Sequence, residues 1–295
     1  MAEDEHLRTL GFVGLGNMGN PMASRLVAAG YRVQAFDVSV DARDKAREAG
    51  AVVVDAAAAA ATGADAVVLM LPNSQVVNAV MEDPAMTSAL SHGAVVIDMS
   101  SSEPLRTQAL ATQLDAIGVR LVDAPVSGGV RGAVGGKLTI MVGGSDDDVA
   151  RVTPLIEQLG RLVHAGPVGS GHAVKALNNL LSATHLWVTS EAIIAGEKFG
   201  LDPEVMLSIF NGSSGRSGST ENKWPNFIVP GTYDSGFGLR LMLKDMRIAV
   251  QLAEQAGVPS RLGADAVALW AEAAEGLDGN ADHTEVARWL KAKVA

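Results

Sequence analysis

The stretch "GFVGLGNMGNPMASRL", residues 11–26, decides the fold. Its "GLGNMG" core places Gly14, Gly16 and Gly19 in G-x-G-x-x-G spacing, after a predicted apolar strand and at the start of a predicted helix. In this context the first glycine permits a tight turn, the second lets the backbone approach a pyrophosphate, and the third allows close helix–strand packing. The spacing predicts a dinucleotide site; the alternative is a purely structural glycine turn.

The same region supplies the other predicted contacts of a dinucleotide. Asn17 and Met18 lie between the second and third glycines, where the N–H groups of a helix N-terminus point toward phosphates. Asp37 ends the second predicted strand, "YRVQAFD", about 20 residues beyond the last glycine, where a carboxylate binds ribose hydroxyls. Because a carboxylate there repels a 2′-phosphate, the sequence favours NAD over NADP. Arg43 and Lys45 lie nearby, but their segment "DARDKAR" is more typical of a solvated helix face.

The first half of the chain alternates apolar strands with helical segments. Continuously apolar strands such as "DAVVLMLP" and "AVVIDMS" are typical of a mostly parallel sheet that is covered on both faces. We therefore predict an α/β Rossmann-type domain with a doubly wound sheet over residues 1–166. The strand pattern then stops. Residues 167–295 are predicted to form an all-helical C-terminal domain, joined to the first by a long interdomain helix over residues 167–200.

Composition and charge exclude several classes of protein. Hydrophobic residues make up 48% and charged residues 19%, which indicates a globular chain. The net charge of −10 argues against a nucleic-acid groove, and no apolar run reaches the length that spans a bilayer. The absence of cysteine excludes disulfides and thiolate chemistry, and six scattered histidines indicate no metal site. We expect a cytoplasmic protein, with "MAEDEHLR" as a solvated tail rather than a signal peptide.

Two stretches place polar groups where they call for explanation. In "GSGHAVKALNNLL", residues 169–181, Lys175 and Asn179 are four residues apart and share one face of a predicted helix. In "DAPVSGG", the hydroxyl of Ser127 and the backbone N–H groups of Gly128 and Gly129 follow a predicted strand and predict an anion cradle. The structural alternatives are a snorkelling lysine, asparagines that bond between helices, and a plain loop.

Five motifs then occur in one order along nearly the whole chain: "GFVGLGNMGNPMASRL", "DMSSSEP", "DAPVSGGVRGAVGGKLTIMVGG", "GPVGSGHAVKALNN" and "KDM". Together they resemble the signature motifs of the β-hydroxyacid dehydrogenases. That family contains 3-hydroxyisobutyrate dehydrogenase, tartronate semialdehyde reductase and the glyoxylate/succinic semialdehyde reductases. Any one of the motifs could arise by chance, whereas five collinear matches make an accidental resemblance improbable.

The resemblance implies a role for each matching residue. Lys175 matches the catalytic lysine, and Asn179 matches the neighbour that orients the lysine or the substrate. Ser127, Gly128 and Gly129 match the cradle for the substrate carboxylate. Lys244 is implied to contact both cofactor and substrate, and Phe237 the substrate. Leu71 and Pro72 are implied at the adenine and Ser101 at the nicotinamide. The other implied cofactor contacts are Gly14, Gly16, Asn17, Met18, Gly19 and Asp37.

We therefore predict an NAD-dependent oxidoreductase that transfers a hydride between nicotinamide and a short 3-hydroxy acid or its semialdehyde, as 3-hydroxyisobutyrate dehydrogenases do. Lys175 would be the general acid and base, placed at an interdomain cleft. The alternatives are an NADPH-dependent reductase of short semialdehydes or glyoxylate, of the tartronate or succinic semialdehyde type, and a non-catalytic dinucleotide-binding module. The resemblance also implies a homodimer or homotetramer. The long Gly/Ser/Pro-rich loop 211–237 is a candidate for substrate selection, with packing as the alternative role of its aromatic residues.

Overall fold

The computed structural model describes residues 7–294, and residues 1–6 and 295 lie outside the described range. The chain divides into two compact units, the first ending at Lys175 and the second beginning at Ala176. The boundary falls inside one continuous helix, Ser170–Phe199. This helix therefore contributes its first turns to the first unit and the rest of its length to the second.

Among the described residues, one sheet forms the framework of the first unit. Its strands are β1 Thr9–Val13, β2 Arg32–Phe36, β3 Val52–Val53, β4 Ala66–Leu69, β5 Val95–Asp98, β6 Arg120–Asp123, β7 Val126–Ser127, β8 Leu138–Gly143 and β9 Gly160–Gly166. Their order is β3-β2-β1-β4-β5-β6-β8-β7, with β9 also paired to β8. Neighbouring strands are parallel except where β8 meets β6 and β7. The predicted doubly wound, mostly parallel sheet is confirmed.

Parallel register aligns the carboxyl ends of the central strands. Val13 pairs with Phe36 on one side and with Leu69 on the other. Leu69 pairs with Asp98, which in turn pairs with Asp123. The residues that follow these five strands therefore lie along one edge of the sheet. The chain order reverses at β1, because β2 and β4 lie on opposite sides of it, and open α/β sheets bind ligands outside this edge at such a reversal.

Helices connect the strands of the first unit. They are α1 Gly19–Ala28, α2 Val40–Glu48, α3 Ala57–Ala61, α4 Ser74–Met81, α5 Pro84–Ala89, α6 Pro104–Asp115, α7 Gly129–Gly135 and α8 Asp146–Ile156, followed by α9 Ser170–Phe199. The side chains of Ser39, Asn73 and Ser145 accept N–H bonds that cap α2, α4 and α8. Such caps are worth about 1 kcal/mol each. Gly30 and Gly50, just after α1 and α2, have φ +95° and +93°, a conformation that favours glycine and ends the helices.

Apolar side chains cover both faces of the sheet. Along β4, Val68 belongs to one buried cluster, whereas Val67 and Leu69 belong to another. Along β5, Ile97 belongs to the same cluster as Val68, and Val96 belongs to the other. Because successive strand residues point to opposite faces, an uninterrupted apolar strand requires both faces to be covered. This is the reason that the β4 and β5 sequences show no alternation.

The start of the described chain corrects one prediction. Leu7 was expected in a solvated tail, but it is 8% exposed and packs in the core of the first unit. The physical reason is that the backbone is already fixed there, since the N–H groups of Arg8 and Thr9 both donate to Asp65 over 2.8 Å. The other residues of the predicted tail, 1–6, lie outside the described residues.

The second unit is helical apart from an isolated bridge between Gly238 and Asp282. After α9 it contains α10 Pro203–Asn211, a π-helix Ser219–Ile228, α11 Leu239–Gln255, α12 Arg261–Gly276 and α13 Glu285–Lys293. Asp202 caps α10 by accepting the N–H groups of Glu204 and Val205. Within residues 7–294, no helix combines the length and apolar character needed to cross a membrane.

Tryptophans form the centre of the second unit. The ring of Trp187 lies 6.3 Å from that of Trp270 and 5.9 Å from that of Trp289. Trp224, on the π-helix, is 1% exposed and belongs to the same buried cluster. Trp224 is therefore a packing residue, in agreement with the structural alternative for this segment.

The segment 211–237 is not one long loop. The π-helix occupies ten of its residues, Ser219–Ile228, and carries Pro225 inside it. The sequence pattern missed this helix because proline and the surrounding glycines and serines are typical of loops. Burial of Trp224 and Ile228 against the helical core stabilises the segment despite those local preferences.

A partly buried carboxylate fixes the chain just before α11. Asp282 accepts the N–H groups of Gly236 and Phe237, over 2.8 and 3.1 Å, and the hydroxyl of Ser235. The next residue, His283, places its Nδ1 3.0 Å from the carbonyl oxygen of Phe237. A carbonyl only accepts, so Nδ1 carries the hydrogen, and Nε2 is a buried acceptor without a partner among the described residues. Burial, followed by repulsion from Lys223, lowers the pKa of His283 to about 4.

This arrangement predicts a pH dependence of folding stability. Because the folded-state pKa of His283 lies below its ordinary value of 6.5, protonation favours the unfolded chain. The contribution of neutral His283 to the free energy of unfolding is complete above about pH 6.5. It is lost as the pH falls toward about 4, to an extent on the order of 3 kcal/mol. His283→Asn keeps a donor near the position of Nδ1 but does not titrate. Chemical denaturation at pH 7 and pH 5 should show a smaller loss of stability for this variant than for the wild type.

The control is His185→Asn, since His185 is an exposed histidine of the same unit. That variant should retain the wild-type difference between the two pH values. Asp282 does not confuse the comparison: burial opposes its ionisation, but hydrogen bonds from Thr284 hold its pKa below 3.8, outside the window. An identical pH dependence in wild type and His283→Asn would contradict the prediction.

Candidate functional site

The glycine turn after β1 has the geometry that its spacing predicts. Gly14 has φ +99°, and a Cβ on it would clash with the carbonyl oxygen of Met70. A Cβ on Gly19 would clash with the carbonyl oxygen of Gly14. A Cβ on Gly16, by contrast, would meet nothing within 4 Å. Gly14 and Gly19 are therefore required by the fold itself, whereas Gly16 faces open space that a ligand can approach.

The first turn of α1 is arranged to receive an anion. No side chain caps this helix, because Met18 occupies the N-cap position and makes no capping bond. Uncapped N–H groups and the positive end of the helix dipole attract phosphate oxygens. Gly16 and Asn17 are exposed beside this turn. The turn therefore fits a dinucleotide pyrophosphate in both shape and charge.

Asn20 holds the turn in place, and the sequence analysis did not identify it. Its side-chain amide donates to the carbonyl oxygen of Leu15 over 2.7 Å and to that of Ala42 over 3.0 Å. The first bond closes the glycine turn on itself, and the second ties it to α2. An amide immediately after the last glycine is the only available signal. Its bond to Leu15 is local, but Ala42 lies 22 residues away in sequence and cannot be recognised from spacing.

Asp37 lies where the sequence placed it, directly after β2 and beside the turn. Its Oδ2 accepts the N–H of Leu15 over 2.6 Å, and its Oδ1 accepts the N–H of Ser39 over 2.8 Å. The carboxylate is therefore fixed at the glycine turn, and it is half-buried. Its negative charge next to an anion site disfavours a second phosphate at this position and leaves a hydroxyl pair as the better ligand.

The loops after β4 and β5 are joined to each other. The N–H of Leu71 donates to the hydroxyl of Ser100 over 2.9 Å. Leu71 and Ser101 are half-buried, and Pro72 is exposed. The predicted adenine-side and nicotinamide-side residues therefore belong to two connected loops along the carboxyl edge of the sheet.

The predicted anion cradle follows β6 and β7. Ser127 ends β7, and Gly128 and Gly129 both have positive φ, at 130° and 60°. α7 begins at Gly129 without a side-chain cap, and a Cβ on Gly129 would meet nothing within 4 Å. The cradle therefore presents backbone N–H groups and one hydroxyl to open space. These donors suit a carboxylate.

Lys175 and Asn179 lie one turn apart on α9, as predicted, and both are buried. Asn178, the other asparagine of the motif, is exposed. The side-chain amide of Asn179 donates to Oδ2 of Asp245 over 2.6 Å, and Asp245 is 2% exposed. Because a carboxylate only accepts, this bond fixes the orientation of the amide.

Asp245 also connects Asn179 to Lys244, a link that the sequence analysis did not foresee. The ammonium of Lys244 lies 3.2 Å from Oδ1 of Asp245, on the side of the carboxylate away from Asn179. Phe237, the other predicted substrate residue of this unit, packs its ring edge against His283 with centroids 5.8 Å apart. The "KDM" motif thus supplies one carboxylate that holds both a predicted catalytic amide and a predicted cofactor lysine.

Three comparisons with known proteins agree with this geometry. Residues 9–169 match the family model described as the NAD-binding domain of 6-phosphogluconate dehydrogenase. Residues 169–290 match the model described as NAD-binding of NADP-dependent 3-hydroxyisobutyrate dehydrogenase.

Similar proteins align over most of their length. The chain is 39% identical to 2-(hydroxymethyl)glutarate dehydrogenase of Eubacterium barkeri, covering 88% of this chain and 87% of that one. It is 40% identical to mitochondrial 3-hydroxyisobutyrate dehydrogenase of Homo sapiens, covering 86% and 78%. The structure of 3-hydroxyisobutyrate dehydrogenase of Mycobacterium tuberculosis with L-serine superimposes with a TM-score of 0.91 at 30% identity, covering 96% and 99%.

The chain belongs to the β-hydroxyacid dehydrogenase family. It is an NAD-dependent dehydrogenase that acts on the CH–OH group of a small hydroxy acid, as predicted. Within residues 7–294, no three histidine, aspartate or glutamate side chains come together in the geometry of a metal site.

The contrast between two glycines of the turn gives a test of the cofactor site. Gly16→Ala should leave the free enzyme as stable as the wild type, since its Cβ enters open space, but it should weaken NAD binding by crowding the phosphates. Gly19→Ala should destabilise the free enzyme by about 1–3 kcal/mol, because its Cβ overlaps a backbone oxygen. Thermal unfolding without cofactor and titration of NAD by calorimetry would separate the two effects. Equal losses of stability in both variants would contradict the assignment of Gly16 to cofactor binding and of Gly19 to the fold.

Proposed function

We propose that this member of the β-hydroxyacid dehydrogenase family oxidises a short 3-hydroxy acid with NAD, using Lys175 to take the hydroxyl proton. The observation that carries the proposal is a buried lysine one helical turn before a buried asparagine whose amide is oriented by Asp245. The resemblance of the sequence motifs assigns the catalytic roles to the same two residues.

The names of similar proteins narrow the substrate class. 2-(Hydroxymethyl)glutarate, 3-hydroxyisobutyrate and L-serine, taken from those names, share one structural element. Each has a CH₂OH group on the carbon that carries a carboxylate. We propose the same element for the substrate of this enzyme, with the cradle of Ser127, Gly128 and Gly129 holding the carboxylate. Binding energy at that unreactive end would align the reacting carbon.

The first unit offers a coherent set of groups for the dinucleotide. The glycine turn and the N-terminus of α1 would hold the pyrophosphate, and Asp37 would hold the adenine ribose. Leu71 and Pro72 would contact the adenine, and Ser101 would contact the nicotinamide side. When bound, NAD supplies the hydride acceptor for oxidation of the carbinol carbon.

The protein itself would transfer the proton. In oxidation the amine of Lys175 would accept the proton of the substrate hydroxyl as the C–H electron pair leaves the same carbon. In reduction the ammonium would return that proton. A cation at the oxygen also stabilises the negative charge that develops there in the transition state.

The amide of Asn179 can assist because its orientation is fixed. Its nitrogen is committed to Asp245, and its oxygen, which accepts the side-chain amide of Asn178 over 3.3 Å, keeps a second lone pair for another donor. A lysine ammonium or a substrate hydroxyl is such a donor. The resemblance of the motifs assigns Lys244, paired with the same carboxylate, to the cofactor and substrate, and Phe237 to the substrate.

The expected homo-oligomer is part of the proposal. Its support is a stripe of exposed apolar residues on α9, spaced three, four and seven apart: Val174, Leu177, Leu181 and Val188. Such spacing lies along one helical face. The cytoplasmic location expected from the sequence stays a prediction.

Substitution of Lys175 tests the catalytic assignment. Lys175→Ala should lower kcat by about 10²- to 10⁴-fold, the usual contribution of a general acid–base group. Affinity for NAD, measured by calorimetry, should change little. Assays should use NAD with 3-hydroxyisobutyrate, L-serine and 2-(hydroxymethyl)glutarate, read by absorbance of the reduced nicotinamide.

Lys198→Ala is the matched control, since Lys198 is an exposed lysine in the last turn of the same helix. It should keep wild-type turnover. Near-normal kcat in Lys175→Ala with any of the three substrates would overturn the assignment. Measurable NAD binding without turnover of any substrate by the wild type would instead point to a different substrate class.

Asp37 provides a separate test of cofactor choice. Asp37→Ser should raise kcat/KM for NADP and lower it for NAD, because the variant removes both the ribose acceptor and the charge that repels a 2′-phosphate. Asp41→Ser, in the first turn of the adjacent α2, is the control for a general loss of negative charge. A wild-type preference for NADP would remove the basis of this prediction and favour the NADPH-dependent reductase.

A further inference from the structure

A buried polar cluster joins four segments of the first unit. Its members are Asp98 at the end of β5, Ser100 just after it, Thr107 on α6, Asp123 at the end of β6 and His172 in the first turn of α9. Each is at most 3% exposed. Burying this many polar groups is costly unless each has a partner, so the hydrogen bonds among them determine how the segments fit together.

The imidazole of His172 makes contacts on both sides of its ring. Nε2 lies 3.1 Å from the carbonyl oxygen of Ser100, and Nδ1 lies 2.9 Å from the hydroxyl of Thr107. Because a carbonyl oxygen only accepts, Nε2 must carry a hydrogen. The hydroxyl of Thr107 can satisfy Nδ1 either as donor or as acceptor. One side chain thus fastens the first turn of α9 to the β5 loop and to α6.

The carboxylate of Asp123 fastens the same turn to β6. It accepts the N–H of Gly169 over 2.6 Å and the N–H of His172 over 2.8 Å. These are N–H groups at the start of a helix, which otherwise lack partners and favour negative charge. A Cβ on Gly171 would lie 2.9 Å from Oδ2 of Asp123, so the helix approaches the carboxylate more closely than another residue there would permit.

Two buried carboxyl groups flank the ring of His172. Oδ2 of Asp98 lies 3.8 Å from Nε2 of His172, and Oδ2 of Asp123 lies 3.8 Å from Nδ1. Burial raises the pKa of Asp123, whereas the nearby His172 and the two backbone N–H donors act to lower it. The imidazole therefore lies between two buried carboxyl groups, one on each side of the ring.

The anchored segments carry residues of the proposed active site. Ser100 precedes Ser101 and accepts the N–H of Leu71 through its hydroxyl. Asp123 lies four residues before Ser127, and His172 lies three residues before Lys175. The hydrogen bonds of one imidazole and one carboxylate therefore link the proposed nicotinamide loop, the carboxylate cradle and the catalytic lysine.

We propose that His172 is a positioning residue, which fixes the first turn of α9 so that Lys175 is held in register with the loops carrying Ser101 and Ser127. This inference rests on the proposed role of Lys175. His172 itself acts through the helix that it anchors. Its effect belongs to the chemical step, because a displacement of about 1 Å of a reacting group costs as much as 10²-fold in rate.

Three substitutions probe the anchor. His172→Leu removes both ring contacts. His172→Gln retains an amide donor that can reach the carbonyl oxygen of Ser100. Thr107→Val removes the partner of Nδ1 together with a bond to the carbonyl oxygen of Glu103. Thr112→Val is its matched control, since Thr112 is an exposed threonine on the same helix and loses the equivalent bond to the carbonyl oxygen of Gln108.

The proposal predicts a specific pattern of kinetics. His172→Leu should lower kcat by about 10- to 100-fold, while the Kd for NAD and the KM for the substrate change by less than about threefold. With substrate deuterated at the carbinol carbon, the isotope effect on kcat should increase, because chemistry becomes rate-limiting. The kcat of His172→Gln should exceed that of His172→Leu. The kcat of Thr107→Val should lie between that of His172→Gln and that of the wild type. Thr112→Val should have the wild-type kcat.

Hydrogen exchange supplies a readout that does not depend on turnover. In free enzyme, the amides of Gly169 and His172 should exchange faster in His172→Leu than in His172→Gln, while peptides from β1 and β2 keep wild-type protection. Loss of protection throughout the first unit in all three variants would indicate a general packing role and overturn the proposal.

A double-mutant cycle separates this inference from the proposed function. If His172 acts through Lys175, adding His172→Leu to Lys175→Ala should lower kcat little beyond the effect of Lys175→Ala alone. Multiplicative losses would overturn the positioning role and leave the role of Lys175 intact. Wild-type turnover in Lys175→Ala alone would instead overturn the proposed function. Wild-type kcat and isotope effect in His172→Leu would overturn the positioning role directly.

Discussion

The close approach of two backbone segments at Gly14 and Gly19 is the constraint on which the nucleotide half of the structure depends. Neither position has room for a Cβ, since the carbonyl oxygens of Met70 and Gly14 occupy the space. This contact brings α1 directly onto the end of β1, so its N-terminal N–H groups lie at the carboxyl edge of the sheet. Because parallel register places the ends of β2, β4, β5 and β6 at the same edge, the remaining groups of the site follow from the topology.

Carboxylates withdrawn from solvent, fully at Asp123 and partly at Asp282, perform the same structural task in both units. In the first unit, Asp123 holds the start of α9 by accepting two backbone N–H groups. In the second, Asp282 holds the segment before α11 in the same way. Each charge would be expensive to bury alone, and each is compensated by N–H donors that would otherwise lack partners. The arrangement fixes loop and helix positions that apolar packing alone would leave free to slide.

Features that depend on local sequence were predictable, and features that depend on distant pairing were not. The glycine turn, the acid after β2 and the placement of Lys175 and Asn179 on one helix all follow from spacing within a short segment. By contrast, Asn20 also bonds to Ala42, Asp123 bonds to His172, and His172 bonds to Ser100, 72 residues away in sequence, so no local pattern reveals these contacts. The π-helix escaped prediction for the opposite reason, because burial of Trp224 overrides the local signals of Pro225 and its flanking glycines.

The choice of an amide at position 179 follows from the chemistry proposed for Lys175. An aspartate one turn from a lysine would form an ion pair and stabilise the charged ammonium, which would hinder its use as a base. An asparagine presents an oxygen to the same donor without a full negative charge. Its own orientation then requires an acceptor, and Asp245 supplies one at 2.6 Å. Lys244, 3.2 Å from that carboxylate, balances its charge. The chain therefore gains the orienting effect of a buried carboxylate on the amide that follows the proposed base by one helical turn.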